Sequence, residues 1–545
     1  MQTGETLLLI LAAVTGFGAL ARRIGLPEPI VLVLAGLCLS LLPGIPDVDL
    51  NPDWIFLLVL PPLLHAQAWV TSWKEFRSHL KTISLLAVGL VLFTTVVVAW
   101  AAKLVIPELP WAAAFAFGAI VSPPDAVAAS AIAGKLRLPR RIVTILEGES
   151  LVNDATGLVA YRFALAAVAT GSFALDEAAS QFFVVALGGV AIGLAVGVGA
   201  AWVFRRVRDP SIAIALSLVA PYAAYLLAER THVSGVLAVV AEGLVLGTLA
   251  SEVLSATARL EGFGFWQMVV FLLNGTAFLL IGLQLPAVAQ RSCEESWATL
   301  LLDAIVVVGA AIAARLAWVT VGGLVTRLLG RFGLNRHRPL PWRHLFVVGW
   351  AGMRGVVSLA AALALPLASG DGGGFPCRDL VVFLTFAVIL GTLVLQGLSL
   401  PFVIRKLGVA GDGVEEDERE REARIAAATA ALAHVRALGK SGQFLATATQ
   451  LVAAEYTDRI RDLHRGRASL IGEAGSEVMH VQGTAALRKA GLHRERATLL
   501  ELHKRHLVEK ETLLKLEREL DLDETRLEGE ASGAGGAAAP ISAGR

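Results

Sequence analysis

Between Glu147 and Arg162 the chain reads Glu-Gly-Glu-Ser-Leu-Val-Asn-Asp-Ala-Thr-Gly-Leu-Val-Ala-Tyr-Arg, a cluster of carboxylates and amides opening an otherwise apolar stretch. A charged side chain at bilayer depth costs roughly 2.5–3.5 kcal/mol on insertion scales, so it persists only if it is paired, faces water or performs a task. Ser150 and Asp154 are four residues apart and share one helix face. Glu149 and Asn153, also four apart, form a second stripe about 100° round. One stripe joins a carboxylate to a hydroxyl, the other a carboxylate to an amide. Such oxygen donors suit a hard cation, and a carboxylate can carry a proton instead. Asp154 lies about twelve residues from the end of its span, roughly 18 Å at 1.5 Å per residue and so near the midplane.

Two more segments place polar groups at depth. Ser122-Pro123-Pro124-Asp125 interrupts another apolar stretch. Proline lacks an N–H, so the carbonyls of Ala119 and Ile120 lose their helical partners. Broken backbone occurs at membrane depth only where it lines protein or water, and in transporters freed carbonyls and half-helix carboxyl ends face cations. Asp125 beside the break strengthens that reading. Further on, Gly352-Met353-Arg354-Gly355 precedes Ser358. A guanidinium stays charged in proteins and needs an anion; Glu149 is the natural partner, which predicts a Glu149–Arg354 ion pair. The flanking glycines would let other backbones approach or let this helix break in turn. Weaker signals are His65, Gln67, Asn274 and Gln284. His65 reads as hydrogen-bonded packing and Arg315 as structural. Glu242 either lines a cation funnel or pairs elsewhere.

The elements that must position these groups follow from composition. Of 545 residues, 55% are hydrophobic and 17% charged; soluble domains carry about 25% charged residues. The chain is therefore expected to be an all-α polytopic membrane protein. Its net charge of +1 gives no reason to expect a nucleic-acid partner. The three cysteines show no metal spacing; Cys293 and Cys377 fall on one side, where a bridge between them is open but not favoured. No nucleophile–base pair or metal-ligand set stands out, so an intramembrane enzyme is disfavoured, and no cofactor is expected. The first residues carry no Lys or Arg, so the first span reads as permanent rather than as a cleaved leader.

Thirteen spans are predicted at 5–21, 28–44, 53–71, 82–106, 110–134, 142–170, 181–205, 211–229, 233–253, 264–287, 298–328, 343–368 and 378–404. Alternate loops hold eighteen basic residues and the opposite loops and span ends only four. By the positive-inside rule the amino terminus lies outside and the carboxyl terminus in the cytoplasm. The transmembrane domain is read as 1–408. A helical domain follows at 409–530, with helix-forming stretches at 424–438, 445–464 and 485–522, and 531–545 is Gly/Ala/Ser-rich and expected to be disordered. The tail reads either as a solvated helical hairpin, as a surface that pairs with itself or a partner, or as a sensor module.

These residues bring the chain close to the monovalent cation:proton antiporter-1 family, the sodium/proton exchangers. Gly-Glu-Ser-Leu-Val-Asn-Asp at 148–154 resembles that family's Asn-Asp signature. Ser-Pro-Pro-Asp-Ala-Val-Ala at 122–128 resembles its unwound helix, and Gly-Met-Arg-Gly at 352–355 its Arg motif. Leu-Pro-Pro-Leu-Leu at 60–64 and Phe-Leu-Leu-Asn-Gly-Thr at 271–276 are also similar to family segments. The resemblance covers roughly residues 5–408. It implies inverted repeats with two broken helices, and a homodimer whose protomers each have an interface domain and a moving core domain. Asp154 would be the ion-binding carboxylate, with Ser150 and Asp125 contributing to a transient Na+ site, and Glu149 would pair with Arg354. Asn153 would stand where electrogenic relatives carry a second Asp, which implies one cation exchanged for one proton. Two departures stand out: His65 and Ala66 replace an aromatic and a Glu, and Asp125 is followed by Ala126 rather than Pro.

The expected function is thus sodium/proton antiport across a plasma membrane, the bacterial inner membrane, with Na+, H+ and the lipid bilayer as partners. When ionised, Asp154 binds the cation; when protonated, it carries the proton. A potassium/proton exchanger and, less favoured, a cation channel are the alternatives.

Overall fold

The structure is a computed structural model and describes residues 2–42, 55–125, 129, 136, 138–171, 175–291, 296–331, 340–366, 375–409, 414–465, 484–505 and 507–536. Its helices, in chain order, are α1 (Gln2–Ile24), α2 (Glu28–Ser40), α3 (Leu60–Val70), α4 (Trp73–Ser78), α5 (Leu80–Ser84), α6 (Val91–Val105), α7 (Trp111–Val121), α8 (Arg140–Thr170), α9 (Leu175–Phe204) and α10 (Pro210–Arg230). They continue with α11 (Gly235–Val253), α12 (Ala256–Arg291), α13 (Trp297–Arg331), α14 (Trp342–Trp350), α15 (Val356–Leu363), α16 (Arg378–Leu407), α17 (Val414–Lys440), α18 (Ala446–His464), α19 (Thr484–Lys504) and α20 (Lys510–Gly536).

Among the described residues, nine helices are long and apolar enough to cross a membrane, and three shorter apolar ones lie at Glu28–Ser40, Phe56–Val70 and Trp111–Val121. The chain is a multi-pass, all-helical membrane protein. The twelfth predicted span, 343–368, is two half-helices, α14 and α15, joined by non-helical residues 351–355. The fifth, 110–134, contains α7, which ends at Val121 where Pro123 and Pro124 forbid continuation. Cys293 lies outside the described residues, and with it any bridge to Cys377.

One compact unit comprises Met1–Val203, Ala215–Leu249 and Trp266–Gly411. In lipid, helices gain little from hydrophobic sorting and associate by close packing of small residues. The sequence of α7, Trp-Ala-Ala-Ala-Phe-Ala-Phe-Gly-Ala-Ile-Val, is written for this: Ala113, Ala114, Ala116, Phe117 and Gly118 are buried, and α7 packs between α6 and α8. A Cβ on Gly118 would collide with the Thr95 carbonyl of α6. The core extends through Val347 and Val348 of α14, Leu359 of α15 and Phe386 and Ile389 of α16.

The second unit comprises Phe204–Ile214, Ala250–Phe265 and Asp412–Arg545. Its helices α17–α20 bury two apolar clusters. Ala428, Ala431 and Val435 pack with Val452, Tyr456 and Leu487; Ala423 and Ala427 pack with Leu492, Leu499, Leu513, Leu516 and Leu520. Each such leucine contributes roughly 1.5–3 kcal/mol on burial. The stretch 485–522, read as one helical run, is two: α19 stops at Lys504, and Leu507 N–H turns back onto the Leu502 carbonyl at 3.1 Å. The reversal lets Leu499 and Leu513 share one core, which a straight rod could not do. Helix α20 runs to Gly536, six residues into the segment expected to be disordered; 537–545 lie outside the described residues.

Candidate functional site

The site is built where the chain leaving α7 meets the link between α14 and α15. Residues 122–125 leave the end of α7, and residues 351–355 link α14 to α15. Their backbones hydrogen-bond directly: Asp125 N–H donates to the Met353 carbonyl at 2.7 Å. A Cβ on Gly355 would collide with the Asp125 side chain, so only glycine allows this crossing. Helix α8 is pressed against the same place, because a Cβ on its Gly157 would collide with Pro123.

The backbone groups freed by the breaks are taken up one by one. Ser122 Oγ donates to the Ala119 carbonyl at 3.1 Å. Arg354 Nε donates to the Val121 carbonyl at 2.7 Å, and its Nη1 donates to the Gly352 carbonyl. Asn153 Nδ2 donates to the Pro124 carbonyl at 2.7 Å. Arg315 of α13 donates from Nε and Nη2 to the Val348 carbonyl, each at 3.2 Å. Each half-helix thus ends on a guanidinium, α7 on Arg354 and α14 on Arg315. A cation at a helix carboxyl end is favoured by the aligned peptide dipoles.

The Glu149–Arg354 pair predicted from the sequence is corrected here. Glu149 is held by Arg315, with Nη1 to Oε1 at 2.5 Å and Nη2 to Oε2 at 2.9 Å, both residues 1% exposed. The physical reason is that Arg354 is committed to the carbonyls of the broken backbone, while Arg315 presents its planar fork to Glu149 in the bidentate geometry that a carboxylate prefers. Arg315 was read as structural without a partner; no sequence periodicity could have linked α13 to α8.

Asp125 and Asp154 line one cavity of about 40 Å³, together with Pro123, Pro124, Gln67, Asn274 and Ser358. A water needs about 10–15 Å³ measured this way, so the cavity has room for a few water-sized particles. Asp154 is 7% exposed, and Asp125 is half-buried. Among the described residues, Ser150 and Asn153 are not in the cavity wall; both are buried on α8 beside Asp154. Asn153 Oδ1 and Ser358 Oγ are among the buried polar atoms that have no hydrogen-bond partner among the described residues. Ser358 was noted only as following the Gly352–Gly355 segment, and Gln67 and Asn274 only as weak signals. Their common signal is a neutral oxygen donor within an apolar span. A larger cavity, of about 410 Å³, also reaches Asn274, and Arg22 and Arg405 stand in its wall.

An interrupted helix that meets the end of another beside a buried carboxylate, in a multi-pass helical membrane protein, fits the build of secondary transporters. The family model described as sodium/hydrogen exchanger, transmembrane, matches residues 8–406, and the chain belongs to that family of transporters. It is 36% identical over 531 residues to an uncharacterized Na+/H+ exchanger of Mycobacterium tuberculosis strain H37Rv, with 95% of each chain covered. It is 33% identical over 561 residues to an uncharacterized Na+/H+ exchanger of Escherichia coli K12, covering 97% of this chain and 99% of the relative. Its fold resembles the sodium proton antiporter MjNhaP1 from Methanocaldococcus jannaschii, solved at pH 8, with a TM-score of 0.59 at 18% identity, covering 75% of this chain and 99% of that one.

Proposed function

We propose that the chain exchanges one sodium ion for one proton by alternating access, with Asp154 as the shared site. The observation that carries this reading is the placement of Asp154 and Asp125 in one small cavity where the chain leaving α7 meets the link between α14 and α15. Sodium is a hard cation and takes oxygen ligands. The two carboxylates, Ser150 on α8, the open Asn153 Oδ1 and Ser358 Oγ are oxygens of the right kind. Competition between H+ and Na+ for one carboxylate couples the two flows without further machinery. The work of the site is transport rather than catalysis, and Na+ and H+ are its cargo.

Residues 1–408 form the antiporter domain and 409–530 the helical domain, in a homodimer in the bacterial inner membrane. The amino terminus lies outside and the carboxyl terminus in the cytoplasm, as the distribution of basic residues supports. On that orientation Arg22 and Arg405 mark the cytoplasmic mouth of the 410 Å³ cavity, which serves as the inward access route to Asn274 and the site.

The test is purified protein in vesicles with a pH dye inside, and sodium, lithium and potassium added in turn. Proton movement driven best by sodium supports the proposal. A response to potassium alone favours the potassium/proton reading, and cation flux without proton exchange favours a channel.

A further inference from the structure

Asn274 of α12 belongs to the walls of both cavities. The cavity of about 40 Å³ that holds Asp125 and Asp154, and the one of about 410 Å³ whose wall contains Arg22 and Arg405, have Asn274 alone in common among the described residues. Asn274 is 9% exposed. Among the described residues its side-chain amide makes no hydrogen bond. A carboxamide buried without a partner costs free energy. Its oxygen is therefore set for an occupant of the cavities.

The spacing of α12 brings Asn274 to this place. Gln267, Phe271, Asn274 and Phe278 recur at steps of three or four, share one helix face, and all line the larger cavity. The helix is held by close contact with its neighbours. A Cβ on Gly275 would collide with Val14 of α1, and one on Gly282 with the Val33 carbonyl of α2. Asn274 thus stands at a fixed position, which is what a preorganised ligand requires. Among the described residues, the carboxylate in the wall of the larger cavity is Glu28, and it is already engaged. Arg22 Nε donates to Glu28 Oε1 at 2.7 Å, and the same guanidinium lies 5.2 Å over the Phe271 ring.

We infer that Asn274 Oδ1 is a cation ligand at the passage between the two cavities. There it takes the place of one of the waters that the ion carries in. The smaller cavity has room for only a few water-sized particles. A hydrated ion must therefore give up most of its shell before it reaches Asp154. Oxygens of the protein replace such a shell, as carbonyl oxygens do in ion filters. Binding on a path must also be weak enough to release the ion. A neutral amide meets both conditions, whereas a carboxylate at the same point would hold the ion short of Asp154.

This inference rests on the antiport reading, and one experiment separates the two. Full-length protein in vesicles with a pH dye inside is assayed for proton movement over a range of sodium concentrations. Wild type is compared with Asn274→Leu and Asn274→Asp. Both replacements keep the branched shape of the side chain and change what it offers a cation. The expected result is a sodium KM about ten-fold higher in Asn274→Leu, with a smaller change in maximal rate, because a contact made by the bound ion is lost. Asn274→Asp should move the other way, with a KM at or below that of wild type and a lower maximal rate. Asn274→Ala removes the oxygen without adding bulk; it stands in for Asn274→Leu if that variant does not fold, and should show the same rise. A KM that stays at the wild-type value without the oxygen, or that rises equally in Asn274→Asp, would overturn the inference and leave Asn274 a packing residue. Absence of sodium-driven flux in wild type would overturn the antiport reading instead.

Discussion

The side-chain amide of Asn153 donates to the Pro124 carbonyl at 2.7 Å, which ties α8 to the break in the neighbouring helix. Asn153 therefore does what a carboxylate could not do, because ionised Asp has no proton to donate. On the proposed mechanism, with Asn there, Asp154 alone on α8 exchanges one proton for one monovalent cation, and no net charge moves. In vesicles clamped at different potentials with valinomycin and potassium, the end point of sodium-driven exchange should not shift. Asn153→Asp should slow exchange about ten-fold, as expected for a lost buried hydrogen bond of roughly 1–3 kcal/mol. A wild-type end point that moves with voltage would rule out the single-carboxylate mechanism.

The Glu149–Arg315 pair makes a second prediction. Removing one partner of a buried pair costs roughly 3–5 kcal/mol, whereas removing both is much milder. Glu149→Gln and Arg315→Met should each lower the melting temperature, and the double variant should recover part of the loss. Arg354→Met should combine with Glu149→Gln much closer to additively, since Arg354 serves the Val121 and Gly352 carbonyls. A stronger recovery with Arg354 than with Arg315 would reverse the pairing.

A third prediction concerns the second unit. Asp521, 2% exposed, accepts from Arg259 Nε at 2.9 Å and from Arg496 Nη2 at 2.6 Å, and Arg518 lies 4.7 Å over the Phe263 ring. Asp521 thus latches α20 to the start of α12. Hydrogen bonds to charged groups contribute roughly 1.5–3 kcal/mol each, so Asp521→Asn should speed amide hydrogen exchange in α20 about ten-fold or more. Unchanged exchange there would show that the latch does not hold the helix.

The pattern of what the sequence discloses has a physical basis. Asp154, Asp125 and the Pro123–Pro124 break stand out because charge and missing N–H groups are costly in lipid, so their presence is itself a signal. The change of composition near residue 408 is equally legible. Partner choice is not. Glu149 had two buried arginines available, and Arg315 was selected by tertiary geometry 166 residues away in sequence. His65 and Glu242, paired and fully buried, are 177 residues apart, and their pairing leaves no local trace. The turn between α19 and α20 contains no Pro or Gly to announce it; it forms because Leu499 and Leu513 gain a common core.

The pH dependence of the carboxyl-terminal bundle can be stated with its sign. Burial pushes the Asp523 carboxyl up from 3.8 to about 6, against the pull of Arg459, and Glu495 beside it adds to the rise. The same burial raises Glu495 and Glu517. A raised acid stabilises the fold fully below its ordinary value, and that contribution is lost as pH rises through the folded one. For Asp523 the window is 3.8 to about 6. Glu420 and Glu524 are lowered, so their contribution is lost only on acidification below the ordinary 4.5. Protection of α18–α20 from amide exchange, corrected for intrinsic rates, should therefore fall between about pH 4.5 and 6, and Asp523→Asn should flatten that slope. An unchanged slope in the variant would exclude Asp523 as its source.

The central claim is that Asp154 is the one site for which sodium and proton compete, and Asp154→Asn tests it most directly. Asparagine keeps the size and the helix face but neither takes up a proton nor offers charge to a cation. The variant is purified, shown to be folded by its melting curve, and placed in vesicles with a pH dye inside; a sodium pulse is then applied. The account predicts no sodium-driven proton movement, beside a clear response from wild type in parallel vesicles. A measurable sodium-driven proton flux through the folded variant would contradict it.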